Sequence, residues 1–227
     1  RKPHHAKIKV SELVFSLIAS PVMDAQGQRI GTVVEWKDLT AEEAAEVEVS
    51  DIVRAASQGN FSKRIREDNK TGFIGILAGR INQILETASV SLNAVTTGVM
   101  IVDKNGDLQF ANDSLKNQLR QHDTVIRQHL PQLNLNKAGE LRFDDFQNHL
   151  NGSAQQAYQS RVPQQLAFQM GEIHFELVSS PVMSHSGERS CTIIEWKDRT
   201  QELAAEREIA GIVEAASEGD FSQRIDL

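Results

Sequence analysis

The sequence predicts an α+β protein in which a five-stranded antiparallel sheet with short helices is joined to an all-α, dimeric helical bundle. Three observations predict it: the chain repeats itself at an offset of 160 residues, β-branched runs flank glycine turns, and two other segments carry apolar residues at heptad spacing. Phe15 falls on Phe175, Pro21-Val22-Met23 on Pro181-Val182-Met183, and Glu35-Trp36-Lys37-Asp38 on Glu195-Trp196-Lys197-Asp198. Between residues 15 and 65, 29 of 51 positions match their counterparts without a gap. A unit of that length is a domain or two rather than a solenoid turn. The chain therefore holds about one and a half copies of a long repeat and is expected to be part of a longer array.

Taking the elements in order, residues 7–18 and 29–37 are β-branched and apolar around the turn Asp24-Ala25-Gln26-Gly27. The pattern returns at 165–178 and 190–197 around Ser184-His185-Ser186-Gly187. Each copy thus supplies the last three strands of an antiparallel sheet. Thr40 and Thr200 follow as expected helix N-caps, with Glu42, Glu43 and Glu202 in the first turns. Ala45, Val49, Ile52 and Ala56 then form a heptad seam that stops at Gln58-Gly59-Asn60. After an irregular stretch, Ile74, Leu77, Ile81, Ile84, Ala88, Ser91 and Val95 form a second seam. Helices this short bury such stripes by self-association, and Ile52, Ala56, Leu77, Ile81 and Ile84 are the expected dimer contacts. Phe61 and Phe221, beside glycines, are expected to cover the bundle core or anchor its connector.

The one complete globular unit follows. A strand at 98–102, the turn Asp103-Lys104-Asn105-Gly106-Asp107, a partner strand at 108–111 and a helix at 112–122 with Leu115 and Leu119 on one face lead into a Gln- and Asn-rich stretch; three strands finish the sheet. Residues 1–40 hold three such strands without their two partners, so an edge and an apolar face need protection, by swapping or otherwise.

Composition limits the function. With 40% apolar and 24% charged residues the chain reads as globular, and its formal net charge of −7 argues against nucleic-acid or acidic-membrane partners. No apolar run approaches the roughly 20 residues of a membrane span. The single cysteine, Cys191, cannot form an internal disulfide and fits a reducing cytosol. Phosphate-loop, His-Glu-x-x-His, Cys-x-x-Cys and Gly-x-Ser-x-Gly patterns are missing, and Asp144-Asp145 lacks a partner for acid–base work, so no enzyme is expected.

The strand, Asp-x-Asn-Gly turn, strand ending in Ala-Asn, helices, three strands and closing Asp-x-Thr resemble a PAS sensory domain over about residues 93–200. The Asp198-Arg199-Thr200 and Asp38-Leu39-Thr40 exits match the motif through which PAS domains couple to a following helix. The helical pair at 41–92, with its Gly-Asn-Phe-Ser connector, is similar to a HAMP signal-relay module. Residues 1–40 resemble the second half of another PAS domain, and 201–227 the start of another HAMP-like linker. The combination resembles soluble chemoreceptors of the aerotaxis type. That resemblance implies signal transduction in the cytoplasm and a parallel homodimer. It also implies a chemotaxis kinase and adaptor complex reached through regions outside this segment, and ligand, redox or oxygen sensing in the PAS pocket. It further implies heme, with a histidine on a short mid-domain helix and the last-strand tryptophan beside the bound gas. Trp196 matches that tryptophan and alternates with Ile194 and Thr192 onto one face. The histidine position holds Gln147, a poor iron ligand, and His149 two residues on is the candidate. His122 and His129, flanked by polar residues, are expected at the surface, as is His174. The alternative is a cofactor-free PAS module that dimerises and relays in a chemoreceptor or sensor kinase.

Overall fold

A computed structural model describes residues 2–68, 70, 72–131, 142–143, 159–220, 222 and 224. The chain forms two compact units, Arg1–Arg54 with Arg64–Ile84, and Ala55–Lys63 with Leu85–Leu227. The division cuts each heptad helix once, so the first parts of the two helices share one unit and their later parts share the other.

In the first unit, β1 (His4–Val10), β2 (Leu13–Met23) and β3 (Arg29–Asp38) make an antiparallel sheet in the order β1-β2-β3. The run at 7–18 hides a hairpin that alternation alone did not divide. Its turn places Ser11 at φ 55, where the second copy has Gly171 at φ 60. Glycine reaches that region without steric cost, whereas serine gives up roughly 1–2 kcal/mol. The apolar face of this sheet is open. Val10, Leu13, Val34 and Trp36 are 52%, 45%, 45% and 60% exposed, against 2%, 3%, 0% and 1% for their counterparts Met170, Ile173, Ile194 and Trp196. The same sequence pattern is thus seen once with and once without the strands and helices that cover it.

Helix α1 (Thr40–Ser57) buries the predicted seam: Ala45 and Ile52 are buried and Val49 and Ala56 half-buried. In helix α2 (Gly72–Ala94) the side chains buried within the chain are not those of the predicted dimer seam. Its most buried residues are Ala78 and Leu85, whereas Leu77 and Ile81 are half-buried and Ile84 is 67% exposed. The buried line within the chain lies one position along from the seam. In the first unit Glu48 accepts from the Arg66 amide at 2.9 Å and from Lys70 Nζ at 2.8 Å, and Asn82 Oδ1 accepts from the Ile65 amide at 2.9 Å. These bonds fasten the connector, and Ile65 is buried beneath it.

The second unit contains β4 (Gly98–Asp103), β5 (Leu108–Ala111), α3 (Asp113–Gln121), α4 (Asp123–His129), β6 (Gln164–Met170), β7 (Ile173–Met183), β8 (Arg189–Asp198) and α5 (Thr200–Ser217). The five strands are antiparallel in the order β5-β4-β8-β7-β6. The last strand therefore lies at the centre, between the first hairpin and the last one, in the arrangement expected of a PAS domain. Asn112, fully buried, joins the parts: its Oδ1 caps α3 at the Leu115 amide (2.9 Å) and accepts from the Val99 amide (2.8 Å), while its Nδ2 donates to the carbonyls of Leu92 and Thr97. One face of the sheet packs with α3 and α4 around Met100, Leu115, Leu119, Phe168, Phe175, Leu177, Ile194 and Trp196. The other face carries a smaller cluster, Val99, Ile101 and Cys191, against which Phe61 packs. Phe61 thus covers the back of the sheet rather than the core of a helical bundle. His149, Gln147 and Asp144-Asp145 lie outside the described residues. Among those described, no helix is long and apolar enough to cross a membrane.

Candidate functional site

Strand β8 leaves the centre of the sheet and turns into α5 within one residue, Arg199. The turn is built by two side chains and one backbone pair. Asp198 Oδ1 accepts from the Thr200 amide at 2.8 Å, satisfying a donor that the helix start leaves unpaired. Thr200 Oγ1 accepts from the His174 amide at 3.0 Å, and the Arg199 amide donates to the His174 carbonyl at 2.8 Å. Thr200 is therefore not the N-cap that its position suggested. Its hydroxyl reaches sideways to the start of β7, and the aspartate two residues earlier takes the helix amide.

The first copy repeats this geometry in its own unit. The Thr40 amide donates to Asp38 Oδ1 at 2.8 Å, the Val14 amide to Thr40 Oγ1 at 3.0 Å, and the Leu39 amide to the Val14 carbonyl at 2.7 Å. The exit thus forms whether or not the sheet face behind it is covered.

Additional contacts distinguish the second copy. His122, at the junction of α3 and α4, places Nε2 2.5 Å from Asp198 Oδ2 and lies edge-on to Phe175 at 6.2 Å. It is half-buried, not the surface residue that its polar neighbours suggested. Partial burial alone would push the Asp198 carboxyl up; the hydroxyl and amide of Thr200, and then His122, outweigh it and hold the carboxyl below its usual range. Arg199, where the first copy has Leu39, donates to Glu176 on β7 at 3.0 Å and pairs with Glu202 and Glu206 on α5. It also holds the Glu176 carboxyl below its usual range, with Gln165 contributing. His174 meets Arg207 of α5 at 3.3 Å through Nε2. The residues that sequence reasoning missed, His122, Arg199 and Glu176, share no local pattern; His122 and Asp198 are 76 positions apart.

Behind the exit, Thr192, Ile194 and Trp196 line the core face as predicted, each at most 1% exposed. Trp196 is held edge-on by Phe168 at 5.7 Å and Phe175 at 5.6 Å. Ser179, beside Ile194 in the ladder, and Gln118 each bury an oxygen that has no hydrogen-bond partner among the described residues. Gln118 also lines a groove of about 380 Å³ beside the exit, with Thr97, Gln121, Trp196 and Asp198. None of the described histidines is fully buried: His122 is half-buried against Asp198, His129 is exposed with Nδ1 at the Val125 carbonyl, and His174 contacts Arg207.

No family model matches the chain. Over 93 residues, 41% of its length, it is 41% identical to the methyl-accepting chemotaxis protein McpB of Pseudomonas aeruginosa, and the match spans only 14% of that relative. Among solved structures, the Aer2 receptor from Vibrio cholerae, described as a dual PAS-heme oxygen sensor, aligns over 45% of this chain and 93% of its own, at 23% identity and a TM-score of 0.39. The PAS domain of Bordetella pertussis BvgS aligns over 59% and 98%, at 14% identity and a TM-score of 0.38. The chain thus resembles a chemoreceptor over those 93 residues, and the strand order of the complete unit is that of a PAS fold.

Proposed function

We propose that the chain is a sensory input and relay segment of a cytoplasmic chemoreceptor. A small ligand, a redox change or a gas in the core of the PAS domain displaces β8. Asp198 and Thr200 pass that displacement into α5, as Asp38 and Thr40 do into α1. The α1–connector–α2 segment acts as a HAMP-like relay in a parallel homodimer, and the kinase and adaptor complex is reached through regions outside this segment. The observation that carries the reading is the exit itself: the same bonds, at 2.8 Å and 3.0 Å, join strand to helix in both copies. Such a relay requires two packings only a few kcal/mol apart, so that a modest difference in ligand affinity can bias them.

The cofactor-free version of this reading is favoured by the aromatic packing of Trp196 against Phe168 and Phe175 in the core. Heme would require His149. The test is cysteine scanning in a Cys191→Ser background. Single cysteines at Ala56, Leu77, Ile81 and Ile84 are expected to cross-link between protomers, Ile84, exposed in the single chain, most readily, and Ile52, buried within the chain, least. A protein that stays monomeric at micromolar concentration would refute the relay.

A further inference from the structure

The chain carries Gly-Asn-Phe-Ser at residues 59–62 and Gly-Asp-Phe-Ser at 219–222. Both glycines have φ +94. Asn60 Oδ1 accepts from the Ser62 amide and hydroxyl at 3.2 and 2.8 Å, and Asp220 Oδ1 from the Ser222 amide and hydroxyl at 2.9 and 2.6 Å. The Asn60 and Asp220 amides close the preceding helices on the Ala55 and Ala215 carbonyls, each at 2.9 Å. The glycine, Asn/Asp and serine positions therefore repeat the same bonds in both copies.

What differs is what lies against the turn. Among the described residues a Cβ on Gly219 would meet nothing within 4 Å, whereas one on Gly59 would stand 2.3 Å from Ile101 Cγ2. The first turn is seated on the back of the sheet. Phe61 lies edge-on to Phe110 at 6.1 Å, Asn60 Nδ2 reaches Gln109 Oε1 at 3.4 Å, and Phe61 joins the cluster of Val99, Ile101 and Cys191. Glycine is needed here for two separate reasons, the left-handed backbone and the close approach to a β-branched side chain.

We propose that the back of β4, β5 and β8 is a docking surface for a Gly-Asn/Asp-Phe-Ser turn. Residues 59–62 occupy it in this chain, and residues 219–222 are a second plug of the same design, made for the same face on a second copy of this sheet. The partner chemistry is specific: a glycine that lets backbone reach an isoleucine, a phenylalanine for the apolar cluster, and a short amide or carboxylate that holds the turn. The docking does not depend on the relay reading. If both hold, the sheet has an input at its back, from the end of α1, and an output at the end of β8.

Cys191, the only thiol of the chain, reports the seat without an introduced probe. Its reaction with an aromatic disulfide reagent is expected to accelerate at least about tenfold in Phe61→Ala, equivalent to ~1.4 kcal/mol of docking free energy. Gly59→Ala should act in the same direction, and Phe61→Leu should restore most of the protection. The Trp196 emission spectrum, a report on the opposite face, should not move. A thiol no faster in Phe61→Ala than in the native chain would overturn the docking surface. For the second plug, a peptide spanning residues 214–224, added at millimolar concentration to Phe61→Ala, is expected to slow Cys191 again at least about twofold, a difference of ~0.4 kcal/mol. The same peptide carrying Phe221→Ala should not. Equal rates with the two peptides would overturn that half of the proposal.

Discussion

Replacing Thr200 by valine removes one oxygen and almost no volume. In the folded chain that oxygen accepts the His174 amide at 3.0 Å, in a half-buried setting at the start of β7. A neutral hydrogen bond contributes about 1 kcal/mol net, and leaving a partly buried amide unpaired raises the loss to ~1–2 kcal/mol. Local opening at His174 then becomes roughly 5- to 30-fold more frequent, and amide exchange at that residue should accelerate by the same factor. Exchange measured by NMR resolves this single amide. Thr40→Val supplies the internal comparison, because the Val14 amide meets Thr40 Oγ1 at the same 3.0 Å. The two substitutions should therefore accelerate His174 and Val14 alike, each without effect on the other. If exchange at His174 is unchanged in Thr200→Val, the hydroxyl does not hold strand to helix and the proposed coupling route is wrong.

Other expectations follow from the same geometry. Trp196→Ala should destabilise the PAS domain by ~3–5 kcal/mol in urea titrations, as for a large core side chain, whereas Trp36→Ala should cost below about 1 kcal/mol because Trp36 is 60% exposed. In single-tryptophan variants, iodide should quench Trp36 and spare Trp196. Asp198 has a carboxyl held below its usual value, so its contribution to stability is complete above about pH 5 and is lost as pH falls through the folded-state value. Exchange at the start of α5 should accelerate on acidification, and in His122→Ala this should begin at higher pH, since one of the interactions that lower the carboxyl is gone. Titration with hemin followed by reduction should give only the spectrum of free hemin. A Soret band that shifts with carbon monoxide and vanishes in His149→Ala would show instead that heme binds through that residue.

Much of the fold was legible because it is written in short-range pattern. The Asp103 turn and the Asp-x-Thr starts of the two helices lie within a few residues of what they determine, and the 160-residue repeat shows each pattern twice. The α1 seam was also legible, as Ala45 and Ile52 are buried where heptad spacing put them. The failures share a cause. The sideways reach of Thr200, the pairing of His122 with Asp198 and the seat of Phe61 on Phe110 each join residues 26 to 76 positions apart, where no periodicity acts. The α2 seam illustrates a further limit. Heptad spacing marks an apolar stripe without saying which edge the chain buries itself, and Ala78 and Leu85 took that place.

The central claim is that the Asp198–Thr200 exit sets the packing of paired helices. Nitroxides at Glu218, just beyond α5, in a Cys191→Ser background would report the separation of the two helices by pulsed electron paramagnetic resonance, with and without Asp198→Ala. The account predicts one well-defined distance in the parent protein, and a shifted or broadened distribution when the exit is cut while the sheet remains folded. An unchanged distribution, or the absence of any dipolar coupling between protomers, would contradict it.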